Sequence, residues 1–258
     1  MDIVDKAIIF AVKAHSGDVR KGTKTPYIVH PIESCAIAAS ITDDKEIIAA
    51  AVLHDVVEDS EFTKEDLLKE FGERVSNLVC SDTEDKMRDI SADKSWKIRK
   101  QATLDFLDKA TKEEQIICIA DKLSNMRAIC RDYNRLGDKL WERFNQKDKN
   151  EHAWYYGEIA ERLTFLKETE AYKEYKKLLE KTFCRFYAYK NDCPKDTFTI
   201  IKVDERNENW RIDSNGEWEK EWLYDEGYIR GLLREKFDKL IKLTYEDVNK
   251  FVRSHNIF

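Results

Sequence analysis

The chain has 258 residues, of which 42% are hydrophobic and 37% charged, enough to bury a sizeable core in one large domain or in one domain with an appendage. Its 45 lysines and arginines against 51 aspartates and glutamates give a net charge of −6, which excludes a global charge suited to wrapping nucleic acid phosphates. With only three prolines and eight glycines the composition favours a helix-dominated protein, and no segment approaches the ~18 uninterrupted apolar residues that span a bilayer.

Helix signals begin at the N-terminus, where residues 3–15 carry apolar side chains at helical spacing. After a loop rich in Gly, Thr and Lys, Pro31 lies in the first turn of a second predicted helix, HPIESCAIAASI. Either Asp43 or Asp44 can cap a third helix that runs through KEIIAAAVLHDVV. The first part of the chain therefore predicts successive helices.

Capping boxes mark two further helices. Thr63 and Asp66 predict the start of a helix that ends at Gly72. Thr111 and Glu114 repeat the pattern before QIICIADKLSNMRAI, whose apolar content predicts burial on most faces.

The next segments complete a predicted helical bundle over residues 1–192. Ser95 is predicted to begin the helix WKIRKQATLDFLDKA, which lies between the two capping boxes. From about 148 to 190 the chain is charged and aromatic with helical periodicity, which suits one long amphipathic helix or two packed end to end. The fold class we predict is therefore mostly all-α.

The pattern changes near residue 192, so we predict a small α+β appendage over residues 193–258. DTFTIIKVD has the composition of a strand, and Asn215-Gly216 between two Trp-bearing segments is a strong hairpin signal. Two helices are predicted to follow, EGYIRGLLREKFDKLIK and YEDVNKFVRSH, the second after a Thr244/Asp247 cap.

Ionisable side chains interrupt the apolar run AAAVLHDVVED at residues 49–59. On a helix His54 and Glu58 are four residues apart, as are Asp55 and Asp59, so the two pairs would stack one turn apart on neighbouring stripes. Their presence where water is excluded requires an explanation in terms of a compensating partner.

Two more groups share this property, because Asp121 lies among isoleucines and His30 lies where a proline-started helix begins. Each of these residues alone is more often a hydrogen-bonded core residue than a ligand. One divalent transition metal would explain His30, His54, Asp55 and Asp121 together, since imidazoles and carboxylates form a mixed N/O set that leaves positions open for water and substrate.

The order His, His-Asp, Asp resembles that of the HD superfamily of metal-dependent phosphohydrolases. The segments AHSGDVRKGTKTPYIVHPIE, LHDVVEDS, FGERVSNLV and IADKLSNMR are more closely similar to the hydrolase domain of RelA/SpoT enzymes and the metazoan SpoT homologue, over roughly residues 1–165. That resemblance implies manganese-dependent hydrolysis of (p)ppGpp at the 3′ position, with release of pyrophosphate.

The resemblance also implies roles for particular residues. One Mn²⁺ would be held by His30, His54, Asp55 and Asp121. Glu58 and Asp59 would position or deprotonate the attacking water. The residues expected to contact the nucleotide are Arg20, Lys21, Asn125 and Tyr155, together with one lysine of the helical stripe Lys94, Lys97 and Lys100, represented here by Lys97.

Some features of the chain depart from the family, and they leave other functions open. VCSDTEDKMRDI is more acidic than the family's usual stretch, the tail after residue 192 has no counterpart in the single-domain hydrolases, and there is no synthetase domain. The alternatives are a nucleotidase or NADPH phosphatase of the HD type, and a non-catalytic nucleotide-binding module whose appendage engages a partner. The partner that we expect is a nucleotide, and we expect no binding to nucleic acid polymers or membranes. The six cysteines lack paired spacing, which is typical of reduced thiols, so we expect the protein to lie in the cytoplasm.

Overall fold

The computed structural model describes residues 1–81, 87, 89–190, 198–204, 209–212, 218–220 and 240–248. The chain divides into two compact units, Met1–Leu178 and Leu179–Phe258. The second unit thus begins within a helix, N-terminal to the predicted boundary near residue 192. The assignment of residues 1–192 and 193–258 as functional domains stays a prediction.

The first unit is built from helices. In chain order these are α1 (Ile3–Ala14), α2 (Val29–Ala39), α3 (Lys45–Leu53), α4 (Val56–Asp59), α5 (Lys64–Phe71), α6 (Glu73–Ser81), α7 (Ala92–Leu107), α8 (Lys112–Leu136), α9 (Lys149–Arg162) and α10 (Glu170–Phe183), with 3₁₀ segments at Gly137–Arg143 and Thr164–Leu166. The mostly helical fold predicted from composition is confirmed.

Local capping signals determine where several helices begin. Asp44 accepts hydrogen bonds from the first turn of α3, and the box of Thr63 with Asp66 is formed at the start of α5. The box predicted before α8 is also present. Gly72 ends α5 with a φ of 84°, a left-handed conformation that glycine adopts without a Cβ penalty.

The core of the first unit surrounds α8, which packs against both α2 and α3. Ile117, Ile119, Leu123 and Met126 of α8 are fully buried. The alanines of α3 are also without exposed surface, and such small side chains let helices approach closely. This packing brings the N-terminal end of α2, the C-terminal end of α3 and the middle of α8 together.

Two sequence predictions about helices were wrong in detail. The helix predicted to open at Ser95 begins at Ala92, after Ser91. The helical segment predicted to extend to 190 ends with α10 at Phe183 and is followed by a strand, β1 (Arg185–Lys190). The strand forms because its backbone pairs with strands on both sides, and its content of Phe and Tyr is typical of strands.

The second unit contains a five-stranded antiparallel sheet in the order β4-β3-β2-β1-β5. Its other strands are β2 (Phe198–Val203), β3 (Asn209–Ile212), β4 (Trp218–Lys220) and β5 (Leu240–Leu243). The strand predicted from DTFTIIKVD is β2. Strands β3 and β4 pair with each other as the two arms of the predicted hairpin, and its turn at Asn215-Gly216 lies outside the described residues.

The end of the predicted helix EGYIRGLLREKFDKLIK is strand β5, which pairs with β1; the remainder of that segment lies outside the described residues. The last predicted helix is present at residues 245–248, where Thr244 and Asp247 form the predicted cap.

Tryptophan rings in this unit surround a buried cation. The ammonium of Lys202 lies 5.3 Å from the ring centre of Trp210 and 4.8 Å from that of Trp218, and 3.0 Å from a carboxylate oxygen of Glu180. Trp218 also packs against Val248. These contacts give both tryptophans a structural role.

No helix in the described ranges has the length and apolar character needed to cross a bilayer.

An aromatic cluster encloses His152 in the first unit. Its ring stacks on Trp141 at 5.0 Å and lies 5.1 Å from Phe144 and 5.4 Å from Trp96, while Nε2 lies 2.9 Å from the carbonyl oxygen of Gln146, to which it donates as the protonated nitrogen. Burial lowers the pKa of His152. The folded protein therefore binds a proton at this ring less readily than the unfolded chain does.

We expect acid to destabilise the protein through this histidine. Because the folded-state pKa is lowered, the contribution to stability is present above the unfolded-state value of about 6.5 and is lost as the pH falls below it. The midpoint temperature of unfolding, measured across this range, should fall with acidification less steeply in His152→Phe than in the wild type. Equal slopes would contradict the assignment.

Candidate metal centre

Three buried side chains converge where the helices meet. His30 is the second residue of α2, His54 follows the last residue of α3, and Asp121 lies in the middle of α8. Each offers a ligand atom, and these atoms all lie within 4.8 Å of one another. The candidate metal site is therefore built from three separate elements of the fold.

The distances suit a small coordination sphere. Nε2 of His30 lies 3.2 Å from Nε2 of His54 and 3.1 Å from Oδ1 of Asp121, and the distance from His54 Nε2 to the same oxygen is 3.7 Å. Ligand atoms that each lie about 2.1 Å from one ion are separated by roughly 3 to 3.5 Å. The site therefore offers two imidazole nitrogens and one carboxylate oxygen, which are ligand atoms that transition metals bind.

Asp55 lies at the edge of this group. Its Oδ2 is 3.0 Å from His54 Nε2 and 3.5 Å from His30 Nε2. The helix is interrupted at His54 and Asp55, where α3 ends and α4 has not begun, but the amide of Asp59 still donates to the carbonyl of Asp55 at 2.8 Å. The predicted one-turn spacing of the two aspartates is thus retained. The role of Asp55 as a fourth ligand stays a prediction.

Burial and charge oppose each other at these groups. Burial alone would raise the pKa of Asp121, but the ammonium of Lys122 at 2.5 Å and the facing imidazoles hold it well below its usual range. Burial alone would lower the pKa of His54, but Asp55 and Asp121 raise it well above its ordinary value. Positive charge is therefore favoured between the imidazoles and carboxylates, which is the requirement for holding a cation.

The ring of His54 is oriented from outside the site. Its Nδ1 lies 2.8 Å from the carbonyl oxygen of Ala51. A carbonyl can only accept, so Nδ1 carries a hydrogen and Nε2 faces the centre of the site, as in many metal-binding histidines.

A cavity of about 330 Å³ adjoins the metal-site residues and includes His30 in its wall. Arg20 and Lys21 line it, as does Asn125, all three predicted to contact substrate. Arg131 and Arg143 also line the cavity, and both pair with the carboxylate of Asp132, which lines it together with Glu33, so that four basic and two acidic residues face this space. Its apolar wall is formed by Ile129, Leu140, Phe144 and Tyr156, among others.

The predicted substrate residues are linked to the metal site by hydrogen bonds. Arg20 donates to Oδ1 of Asn125 at 2.6 Å, and Asn125 donates to Oδ1 of Asp121 at 2.5 Å. Glu58 and Asp59 lie on α4 immediately after Asp55, Glu58 partly buried and Asp59 exposed. Their roles toward water stay predictions.

The structure does not bring Lys97 and Tyr155 to this cavity. The ammonium of Lys97 lies 2.5 Å from a carboxylate oxygen of Glu151 and 3.2 Å from the ring centre of Trp154. Tyr155 is buried against Trp96, with ring centres 6.0 Å apart. Neither is among the described residues that line the cavity, whereas the neighbouring Tyr156 is.

Sequence reasoning missed three residues around the site. Tyr27 donates to Oδ2 of Asp55 at 2.6 Å and lies 3.4 Å from Oδ2 of Asp59. Ser124 contacts His30, and Arg143 lines the cavity. The signal for Ser124 was the spacing, since it follows Asp121 by three residues on the same face of α8, whereas Tyr27 lies in the turn before α2 and no helical spacing indicates it.

The fold and site define a helical protein with a candidate His/His/Asp metal centre. The family model described as HD domain matches residues 7–148, more than half of the chain. The chain belongs to the HD-domain family.

Curated relatives share part of the sequence. A GTP pyrophosphokinase of Myxococcus xanthus is 30% identical over 168 residues, which cover 63% of this chain and 21% of the relative. A guanosine-3′,5′-bis(diphosphate) 3′-pyrophosphohydrolase of Haemophilus influenzae is 33% identical over 128 residues, which cover 47% of this chain and 18% of the relative. The chain thus spans about a fifth of the length of these relatives.

Solved structures share the fold. A metazoan orthologue of SpoT that hydrolyses ppGpp superposes with a TM-score of 0.56 at 24% identity, covering 69% of this chain and 94% of that one. A crystal structure from Listeria monocytogenes gives a TM-score of 0.52 at 28% identity, covering 61% of this chain and 96% of that one.

Removing the carboxylate of Asp121 should abolish metal binding, because the buried site then loses its oxygen ligand and a negative charge. We expect Asp121→Ala, loaded with Mn²⁺ and desalted, to retain no stoichiometric metal by elemental analysis. Asp108→Ala is the matched control, since the exposed carboxylate of Asp108 forms an ion pair with Arg162 outside the site. A full metal equivalent on Asp121→Ala would show that the site is elsewhere.

Proposed function

We propose that this protein is a metal-dependent phosphohydrolase that removes pyrophosphate from the 3′ position of (p)ppGpp. The observation that carries the proposal is the position of a buried His/His/Asp centre beside a cavity with a cationic wall. The similarity to a pyrophosphohydrolase acting on guanosine-3′,5′-bis(diphosphate) supports the same substrate class.

His30, His54, Asp55 and Asp121 would hold the ion, which we propose to be Mn²⁺. When bound there, a divalent ion would supply Lewis acidity, which would lower the pKa of a coordinated water and polarise a phosphoryl oxygen. The carboxylate oxygen of Asp55 closest to the imidazoles accepts a hydrogen bond from Tyr27, so its orientation is fixed from outside the site.

The attacking oxygen would come from water. It forms a bond to the phosphorus attached to the ribose 3′ oxygen, and the bond between that phosphorus and the 3′ oxygen breaks. Glu58, with Asp59, would accept the water proton, and that proton would then pass to the departing 3′ oxygen, so that the products are pyrophosphate and the 3′ hydroxyl. A positioned general base typically contributes ~10²–10⁴ in rate.

Arg20 and Lys21 would bind the phosphate charge of the nucleotide. Lys21 lies at the exposed mouth, where its ammonium is 3.1 Å from Oδ1 of Asn145, and its pKa is lowered first by burial and then by the charge of Arg99. An anion bound by Lys21 would offset the repulsion between its ammonium and the guanidinium of Arg99. The apolar wall of the cavity suits a nucleobase.

The product distinguishes the proposed reaction from its alternatives. With Mn²⁺, we expect ppGpp to yield pyrophosphate, while nucleoside monophosphates and NADPH release little inorganic phosphate. Chromatography of the nucleotide product and separate assays for the two phosphates measure this. Preferred release of inorganic phosphate would favour a nucleotidase or NADPH phosphatase, and tight binding of ppGpp without turnover would favour a binding module.

The role of Glu58 can be separated from metal binding. We expect Glu58→Gln to keep its Mn²⁺ and to lower kcat by about 10²-fold or more, since the amide cannot accept the water proton. Glu61→Gln, which alters an exposed glutamate just beyond α4, is the matched control and should leave kcat unchanged. Equal kcat values for the two variants would exclude Glu58 as the base.

A further inference from the structure

A series of hydrogen bonds leads outward from the ring of His30. Nδ1 of His30 lies 2.8 Å from Oγ of Ser124, and that hydroxyl donates to Oε2 of Glu33 at 2.7 Å. A serine has one hydroxyl hydrogen. Because this hydrogen is directed to Glu33, the oxygen of Ser124 must accept from His30, so Nδ1 is the protonated nitrogen of that ring.

Protonation at Nδ1 determines the state of the other ring nitrogen. Nε2 of His30 is left with its lone pair, which faces Oδ1 of Asp121 and Nε2 of His54. The carbonyl of Ala51 imposes the same tautomer on His54. In these tautomers two lone pairs meet at 3.2 Å, an arrangement that is stable only with a proton or a metal ion between them.

Glu33 is itself held in a fixed orientation. Its Oε1 accepts from Arg127 at 3.0 Å, while its Oε2 accepts from Ser124. Arg127 is in turn held by both carboxylate oxygens of Glu174, at 2.7 and 2.6 Å. The two oxygens of Glu33 therefore have different partners and cannot exchange roles freely.

The supporting residues repeat one spacing on two helices. On α2, Glu33 follows His30 by three residues, and on α8, Ser124 follows Asp121 by three. Residues three apart lie on the same face of a helix. Each helix thus contributes one residue of the metal centre and one residue that supports it, and the two supporting residues bond to each other.

We infer that Glu33 is a positioning residue for the metal centre, acting through the hydroxyl of Ser124 to set the tautomer and orientation of His30. This inference rests on the proposed function, in which His30 is a metal ligand. Loss of such an outer contact typically costs 10–100-fold in metal affinity.

The test uses an isosteric change that reverses the hydrogen bonds. In Glu33→Gln the amide oxygen must face Arg127, a donor, so the amide NH₂ faces Ser124. The serine then accepts from Gln and donates to Nδ1 of His30, which transfers the ring hydrogen to Nε2, where it points at the metal position. We expect Glu33→Gln and Ser124→Ala each to weaken Mn²⁺ binding by about tenfold or more.

The affinity for Mn²⁺ is measured by competition with a chelator at one fixed pH. The tautomer of His30 is determined in the metal-free protein by long-range ¹⁵N–¹H correlation NMR. Ser124→Thr retains the hydroxyl and should restore affinity. The double variant Glu33→Gln with Ser124→Ala should bind Mn²⁺ no more weakly than Ser124→Ala alone, because the alanine has already removed the hydroxyl through which Glu33 acts on His30. Ser76→Ala, which removes a buried hydroxyl that donates to the carbonyl of Lys64, is the matched control.

The outcomes separate the inference from the function on which it rests. If the wild type binds Mn²⁺ and Ser124→Ala binds it equally well, or if the losses in the two single variants add, the role of Glu33 is refuted while the metal site stands. If the wild type binds no Mn²⁺, the proposed function fails and the inference with it. The absence of a ring hydrogen on Nδ1 of His30 in the metal-free wild type would overturn the tautomer argument directly.

Discussion

The buried carboxylate of Asp121 is the constraint on which the arrangement of the first unit depends. An unpaired carboxylate among isoleucines would cost several kcal/mol, so α8 can be buried only if cationic or polar groups meet it. Those groups come from different helices: His30 from α2, His54 from the end of α3, and Lys122 from α8 itself. Packing and site formation are therefore the same event, and the alanines of α3 permit it because they let the helix carrying His54 approach closely.

The distribution of charge around the centre suits an anionic ligand. Asp55 and Asp121 place two carboxylates beside the imidazoles of the candidate metal centre, and Lys122 adds a positive charge against Oδ2 of Asp121. Arg20 and Lys21 then face the cavity as additional cations. Since the chain as a whole is acidic, this local excess of positive charge is a property of the site and not of the surface in general.

The sequence predicted those features whose cause is local. Capping boxes such as that of Thr63 with Asp66 were predicted because both partners lie in one turn, and the candidate metal residues His30, His54 and Asp121 were singled out because ionisable groups in apolar runs demand compensation. Strand β1 was missed because its pairing partners are distant in sequence. The structure places Lys97 against Glu151 of α9, a contact between two helices that the sequence alone does not show, and its role toward the substrate stays a prediction. Tyr27 and Ser124 were missed because a hydroxyl reveals its partner only when helices from separate segments meet.

The loop between α1 and α2 connects the cavity to the candidate metal centre. It carries Arg20, whose guanidinium lies 5.5 Å from the ring centre of Tyr27 and donates to Asn125, the partner of Asp121. Tyr27 donates to Asp55. One loop thus contacts both metal-side carboxylates, directly or through one residue. An anion that draws Arg20 away from Asn125 must change the hydrogen bonding of Asp121, and by linkage a cation that orders Asp121 must change the affinity of the loop for that anion.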